Sequence, residues 1–389
     1  MSIYLDNSAT TKICPEALKK YVEVSESTFG NPSSLHGMGV DAEKLLEEAR
    51  KEIRNSIKDP KCEIVFTASG SEANNLAIIG RALSKERYKR GAKIITTDSE
   101  HASVFSPLAK LAEMGFKITR IPTKDGIVDI EALEKEMTPD VILVTVMMVN
   151  NETGALYDIT RIASVMRAHA PDSYLHVDAT QSYLKIPFTK KSLGADMITV
   201  SSHKIEGPKG VGALIIDPAV IKSRGLAPII LGGGQEKGLR SGTENVPAVS
   251  AFGEAIKVGH PATSANAEKN NALRSYLIEK INMDDTLRTI SITNPEKHAP
   301  HILNITLPQI KSETMLHYLS SLGIYVSSGS ACSSNSHSIS SALTAYGRTP
   351  AEADCSIRIS FSHRNEFSDV DALADALKSG IEKLARIKK

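Results

Sequence analysis

Apolar residues at positions 42, 45, 46, 49, 53 and 57 recur at helical spacing and predict an amphipathic helix starting near Val40. Beyond it the period changes. Glu63–Thr67, Lys93–Thr97, Val141–Val149, Tyr174–Val177, Met197–Ser201 and Gly212–Ile216 are short β-rich runs, several of them apolar throughout. Strands covered by helices on both faces have that pattern. Alternation of the two periods from about residue 40 to 260 predicts a mainly parallel sheet with crossover helices, an α/β large domain over 15–259. The turn-rich Gly259-His260-Pro261-Ala262-Thr263-Ser264 reads as a link into a polar helix at roughly 265–281. Strands at Ile302–Leu307, Ile324–Ser327 and Ser356–Phe361, with helices near 312–322, 339–346 and 368–386, then predict a smaller α+β domain formed by 1–14 and 260–389. Ser327–Ser341 stands out with nine serines around Cys332 and reads, on composition, as a flexible surface loop.

Composition narrows the class. Lys+Arg 46 against Asp+Glu 45 gives a net charge of +1, so neither a nucleic acid nor an anionic membrane is an expected direct partner. Neither a signal peptide nor a membrane span is expected. Four cysteines (Cys14, Cys62, Cys332, Cys355) without a CxxC pair fit a reducing, cytoplasmic setting and suggest no metal site.

The candidate chemistry gathers at strand ends. Ser69-Gly70-Ser71-Glu72 follows one strand and opens a helix over about 73–81, a place where backbone N–H groups and a hydroxyl hold a phosphate. Asp178 and Lys204 end two strands of one parallel sheet, the edge where α/β sheets place ligands. A carboxylate facing a pyridine nitrogen and a lysine that bonds an aldehyde are the two groups pyridoxal 5'-phosphate (PLP) requires. Lys209, in the turn Gly207-Pro208-Lys209-Gly210, is a rival for the lysine, ranked lower because a turn is less rigid than a strand end. His101 and Asn151 follow two further strands at the same edge. The imidazole could stack on the cofactor and move protons, or sit satisfied in the core; the amide could hold the cofactor or the substrate carboxylate, or belong to a turn. Arg358, mid-strand among apolar neighbours, offers a fork for a carboxylate. Arg240-Ser241-Gly242-Thr243 offers further phosphate donors.

These motifs occur in a telling order: Tyr4–Thr11, Gly30-Asn31-Pro32-Ser33-Ser34, Glu100-His101, Val149–Glu152, His176–Gln181, Ser202-His203-Lys204 and Ser327–Cys332. In that order the chain resembles the cysteine desulfurases of the class V aminotransferase family over essentially its whole length, in the group with a long, mobile catalytic-cysteine loop. The resemblance implies a fold-type-I PLP-dependent transferase with a mainly parallel, seven-stranded-type sheet and a smaller α+β domain carrying the 327–341 loop. It implies that Lys204 holds the cofactor, Asp178 pairs with its ring nitrogen, Gln181 meets its phenolic oxygen and His101 stacks on it. Gly70, Ser71, Ser201 and His203 would bind the phosphate, with Thr243 supplied across a homodimer, and Asn151 and Arg358 would hold the substrate carboxylate. Cys332, a loop residue on composition alone, would be the nucleophile that takes sulfur from L-cysteine as a persulfide, leaving alanine. The sulfur would pass to an acceptor protein for iron–sulfur assembly or transfer-RNA thiolation. Another PLP activity, selenocysteine lyase or class V aminotransferase, would use the same site without Cys332, and a docking role would need no cofactor. Ser71 in place of an expected threonine, Glu206 two residues past Lys204, and His337 depart from the family pattern. The end at Lys389, soon after the last helix, leaves the acceptor open.

Overall fold

The structure, a computed structural model, describes residues 2–86, 91–328 and 340–384. In chain order its strands are β1 (Ile3–Tyr4), β2 (Glu63–Thr67), β3 (Lys93–Thr97), β4 (Lys117–Ile121), β5 (Val141–Met147), β6 (Tyr174–Asp178), β7 (Met197–Ser201), β8 (Gly212–Ile216), β9 (Ser291–Thr293), β10 (Ile302–Thr306), β11 (Ile324–Tyr325), β12 (Ser327–Ser328) and β13 (Ser356–Ser360). Seven of them form one sheet in the order β2-β8-β7-β6-β5-β3-β4. All pairs are parallel except those of β8, which runs against both β2 and β7. The expected mainly parallel sheet is present, and β4 completes it. Its Lys-Ile-Thr-Arg-Ile sequence at the sheet edge is half exposed, so it lacks the apolar run that marks its neighbours.

Side chains alternate between two cores, as the pleat requires. Ile64, Phe66, Ile95, Ile198, Val200 and Ile215 face one helical layer, while Val65, Ile94, Met197, Leu214 and Ile216 face another. Helix Gly37–Ser56 fills the first layer with Ala42, Leu46, Ala49 and Ile53; helices Gly70–Leu83 and Ala102–Glu113 fill the second. A separate core gathers Leu5, Leu273, Leu277, Leu303, Ile357, Leu373 and their neighbours around the antiparallel sheet β12-β13-β10-β9.

Two expectations need correction. Residues 259–264 are not a link: they lie inside a helix of 38 residues, Val246–Met283. Pro261 lacks an N–H and costs about 3 kcal/mol in a helix interior. Here Phe252 and Ile256 anchor the helix in one core and Leu273 and Leu277 anchor it in another, so packing on both sides offsets the local penalty. Thr263 Oγ1 also donates to the His260 carbonyl at 2.9 Å. The run 324–327, expected as one strand, divides: β11 pairs with β1, and β12 with β13.

Candidate active site

β2, β3, β5, β6 and β7 all point their C-terminal ends to one sheet edge, where a cleft of about 350 Å³ opens. Of the residues expected there, Gly70, Ser71, His101, Asn151, Asp178, Gln181, Ser201, His203, Lys204 and Arg358 line it. Thr243 does not; it is exposed and faces a neighbouring hollow beside Thr67, Ala68 and Gly210. The adjacent Arg240 is committed elsewhere, its Nε donating to Glu72 Oε1 at 2.9 Å. Cys332 and His337 lie outside the described residues. The rival Lys209 is exposed and does not line the cleft.

Asp178 is buried at the end of β6 and held by two donors: Asn74 Nδ2 at 2.8 Å to Oδ2 and the Thr180 N–H at 2.9 Å to Oδ1. Asn74 Nδ2 also donates to Ser103 Oγ at 2.8 Å, which links Asp178 to the His101 turn. His101 caps helix Ala102–Glu113, its Nδ1 accepting the Ser103 N–H at 3.1 Å. Burial pushes its imidazole below the ordinary value, more than nearby Asp178 raises it, with Lys204 adding to the fall. A neutral ring whose Nδ1 accepts carries its proton on Nε2. His203 is lowered further, to about 4, by burial and then by Lys204, Lys209 and Lys185, and its Nδ1 lies 3.2 Å from Thr10 Oγ1.

Lys204 follows β7 in a short 3-10 turn, and its Nζ donates to the Ser8 and Ala9 carbonyls at 2.5 and 2.8 Å. Gln181 Nε2 donates to the same Ser8 carbonyl at 2.9 Å. Arg358, on β13, is buried: Nη1 donates to the Asn151 carbonyl at 2.8 Å and Nη2 to Asp6 Oδ1 at 2.9 Å. The N-terminal segment thus forms part of the cleft. Asn74, Ser103, Asp6 and Ser8 were not expected there. Asn74 could have been found, since it stands three residues after Ser71 and shares its helix face.

Glu206 now has a setting. Its carboxylate accepts from Arg364 Nη2 at 2.5 Å and lies 3.4 Å from His363 Nδ1, while its N–H donates to Thr11 Oγ1 at 2.8 Å. It ties the turn after Lys204 to the chain following β13, at a backbone φ of +63°.

The cleft fits PLP on its own polar atoms. Ser201 Oγ and Gln181 Oε1 are buried without a hydrogen-bond partner among the described residues. A Cβ on Gly70 would come within 3.2 Å of Thr180 Oγ1 and of Ser201 Cβ, filling the cradle at the helix N-terminus where a phosphate binds. No group of three or more potential metal ligands occurs among the described residues, and no helix among them is long and apolar enough to cross a membrane.

Residues 3–373 match the Aminotransferase class-V family. Cysteine desulfurase IscS 1 of Archaeoglobus fulgidus is 38% identical over 383 residues, covering 98% of this chain and 97% of that protein. A solved NifS-like protein has a TM-score of 0.89 at 34% identity, covering 99% of this chain and 100% of its own. The structure of SspA in complex with cysteine gives a TM-score of 0.79 at 30% identity, over 92% of this chain and 99% of its own. The likeness spans nearly the whole chain, so the chain belongs to the PLP-dependent class V aminotransferase family and, within it, to the cysteine desulfurases.

Proposed function

We propose that this enzyme converts L-cysteine to L-alanine with PLP held by Lys204 and a persulfide formed on Cys332. The observation that carries the reading is the attachment of both flanks of the Cys332 segment to the walls of the Lys204 cleft. Before it, Ser327 pairs with Arg358 and lines the cleft. After it, Ser340 Oγ donates to Glu152 Oε2 at 2.6 Å, beside Asn151.

When bound, PLP supplies an electron sink for the bonds at the substrate Cα. Asp178, fixed by Asn74 and Thr180, would face its ring nitrogen as a carboxylate. Ser201, His203 and the N–H groups of Gly70 and Ser71 would hold its phosphate, Gln181 would meet its phenolic oxygen, and His101 would lie against its ring. Arg358 and Asn151 would bind the substrate carboxylate and leave its sulfur for Cys332. The Lys204 amine would exchange protons at the substrate Cα. The cysteine found in the SspA structure supports L-cysteine as the substrate class.

A homodimer belongs to the same proposal. Leu35 is fully exposed and Leu231 81% exposed. The second lies in the loop leading to Thr243, which would reach a partner subunit's phosphate site. We place the enzyme in the cytoplasm, with a sulfur-acceptor protein as its partner, and treat 15–259 as the cofactor domain and 1–14 with 260–389 as the smaller one.

The test is alanine release from L-cysteine, with a reductant present, by wild type and Cys332→Ala. The reading expects turnover in the first and its loss in the second. Equal release from both would make Cys332 a bystander and favour a lyase or aminotransferase use of the cleft.

A further inference from the structure

The turn that carries Lys204 is held from two sides. It closes tightly on itself, since the Ile205 and Gly207 N–H groups both donate to the Ser202 carbonyl, at 3.0 and 3.1 Å. On one side it meets Thr11, whose N–H and Oγ1 donate to the His203 carbonyl at 2.9 and 2.8 Å and whose Oγ1 accepts the Glu206 N–H at 2.8 Å. The Cys14 N–H donates to the Glu206 carbonyl at 2.8 Å. On the other side the contact is made by the Glu206 side chain. Its two oxygens accept from Arg364 Nε at 3.2 Å each, and Oε2 also accepts from Nη2 at 2.5 Å, with His363 Nδ1 3.4 Å away. That segment is anchored in turn, because Lys269 Nζ, on the long helix, donates to the His363 carbonyl at 2.8 Å.

Glu206 holds this place at a conformational cost. Its φ of +63° lies in the left-handed region, which glycine enters freely and other residues enter under strain. Such a residue persists only where its surroundings over-determine it. Glycine would serve the turn, but it would not supply the carboxylate. The partner of that carboxylate shows its use. Arg364 lies on the chain leaving β13, the strand of Arg358. The ion pair therefore joins the turn carrying Lys204 to the segment following Arg358, and both of those groups line one cleft.

We propose that Glu206 is a positioning residue for Lys204: clamped by Arg364, it sets the spacing between the lysine amine and the Arg358 fork. The proposal rests on the reading that Lys204 holds PLP and Arg358 the substrate carboxylate. One substrate molecule must meet both groups, so a displaced turn weakens the chemical step. The Glu206 and Arg364 side chains are 15% and 39% exposed, so the pair itself adds little to stability.

The test compares holoenzymes of wild type, Glu206→Gly and Arg364→Ala by circular dichroism of the cofactor's visible band, steady-state kinetics on L-cysteine and thermal melts. Glycine relieves the left-handed backbone as the ion pair is lost, so Tm of Glu206→Gly should stay within about 4 °C of wild type. Both variants should change the amplitude of the visible band and lower kcat about tenfold, with KM changed by less than about twofold. The double variant should be no worse than either single one, because both break the same clamp. Glu206→Gln keeps the side-chain length and an acceptor for Arg364, and should recover most of the loss. Arg364→Ala leaves the turn's own sequence intact and reads the clamp even where Glu206→Gly folds poorly. Visible dichroism and kcat unchanged in Arg364→Ala, or additive losses in the double variant, would overturn the proposal. Failure of the cleft reading would show differently, as a lysine-bound visible band that survives Lys204→Ala.

Discussion

Asp178 ends β6 and Lys204 closes the short turn after the neighbouring parallel β7, so one sheet edge positions both. Arg358 reaches its partner Asp6 across 352 residues of chain, with each group fixed by a different part of the fold. The cofactor wall of the cleft is thus built along one sheet edge, its groups set by strands buried on both faces, with Lys204 and Gln181 also tied to Ser8. The substrate wall is assembled from the N-terminal segment, the Asn151 turn and β13. A change on the first wall should disturb the chemistry without moving the fold. A change on the second should disturb binding and the way the N-terminal segment and the Asn151 turn are held to β13.

The largest effect is expected on the cofactor wall. Lys204→Ala should lower alanine release by about 10²–10⁴-fold, the scale of a removed acid–base group, and abolish the cofactor's lysine-bound absorbance. Retention of activity within about tenfold would move the reacting amine elsewhere. On the other wall, Arg358→Lys keeps a charge but loses the fork that bridges Asn151 and Asp6. Its KM for L-cysteine should rise by about tenfold or more, on the 1.5–3 kcal/mol scale of a hydrogen bond to a charged group, with a smaller change in kcat. A loss confined to kcat would place Arg358 in the chemistry instead.

Asn74→Ala tests whether the cofactor wall depends on its supports. Removing one of the two donors to Asp178 should cost about 1 kcal/mol, roughly fivefold in kcat/KM, with the fold intact. No change in steady-state kinetics would make Asn74 a packing residue only. The smallest effect on activity is expected at Glu100, which precedes His101 in the chain. Burial raises its carboxyl to about 8, outweighing the lowering by hydrogen bonds from Thr97 and Met147. The native state then keeps a proton that the unfolded chain releases above its ordinary value of 4.5. The stability from this group is complete below that value and lost as pH rises through about 8. Glu100→Gln should therefore leave neutral-pH activity nearly unchanged and raise Tm relative to wild type increasingly between pH 5 and 9, as thermal melts would show. A constant difference in Tm would contradict the raised value.

The same contrast explains what could be read from the sequence. The cofactor wall was legible because glycine, serine and aspartate interrupt apolar strands at fixed places, so Gly70, His101, Asp178 and Lys204 could be ordered along one edge. The partners of Asp6 and Ser8 could not be read, because nothing near the N-terminus signals contact with Arg358 or Lys204. β4 escaped because an edge strand with Lys117 and Arg120 lacks the apolar run of its neighbours. The helix through Gly259 and Pro261 was hidden for the opposite reason. Local signals mark a break there, while the cores that hold the helix together lie beyond it on either side. Asn74 shows the intermediate case, legible from helix spacing once Ser71 is placed.

The central claim is that sulfur passes from the Lys204 cleft to Cys332. The most direct test is a single turnover of holoenzyme with L-cysteine, without reductant, followed by digestion and mass mapping of the cysteine peptides. The account predicts one added sulfur atom on the peptide containing Cys332, and none on those containing Cys14, Cys62 or Cys355. An added sulfur on another cysteine, or alanine released with Cys332 unmodified, would contradict it.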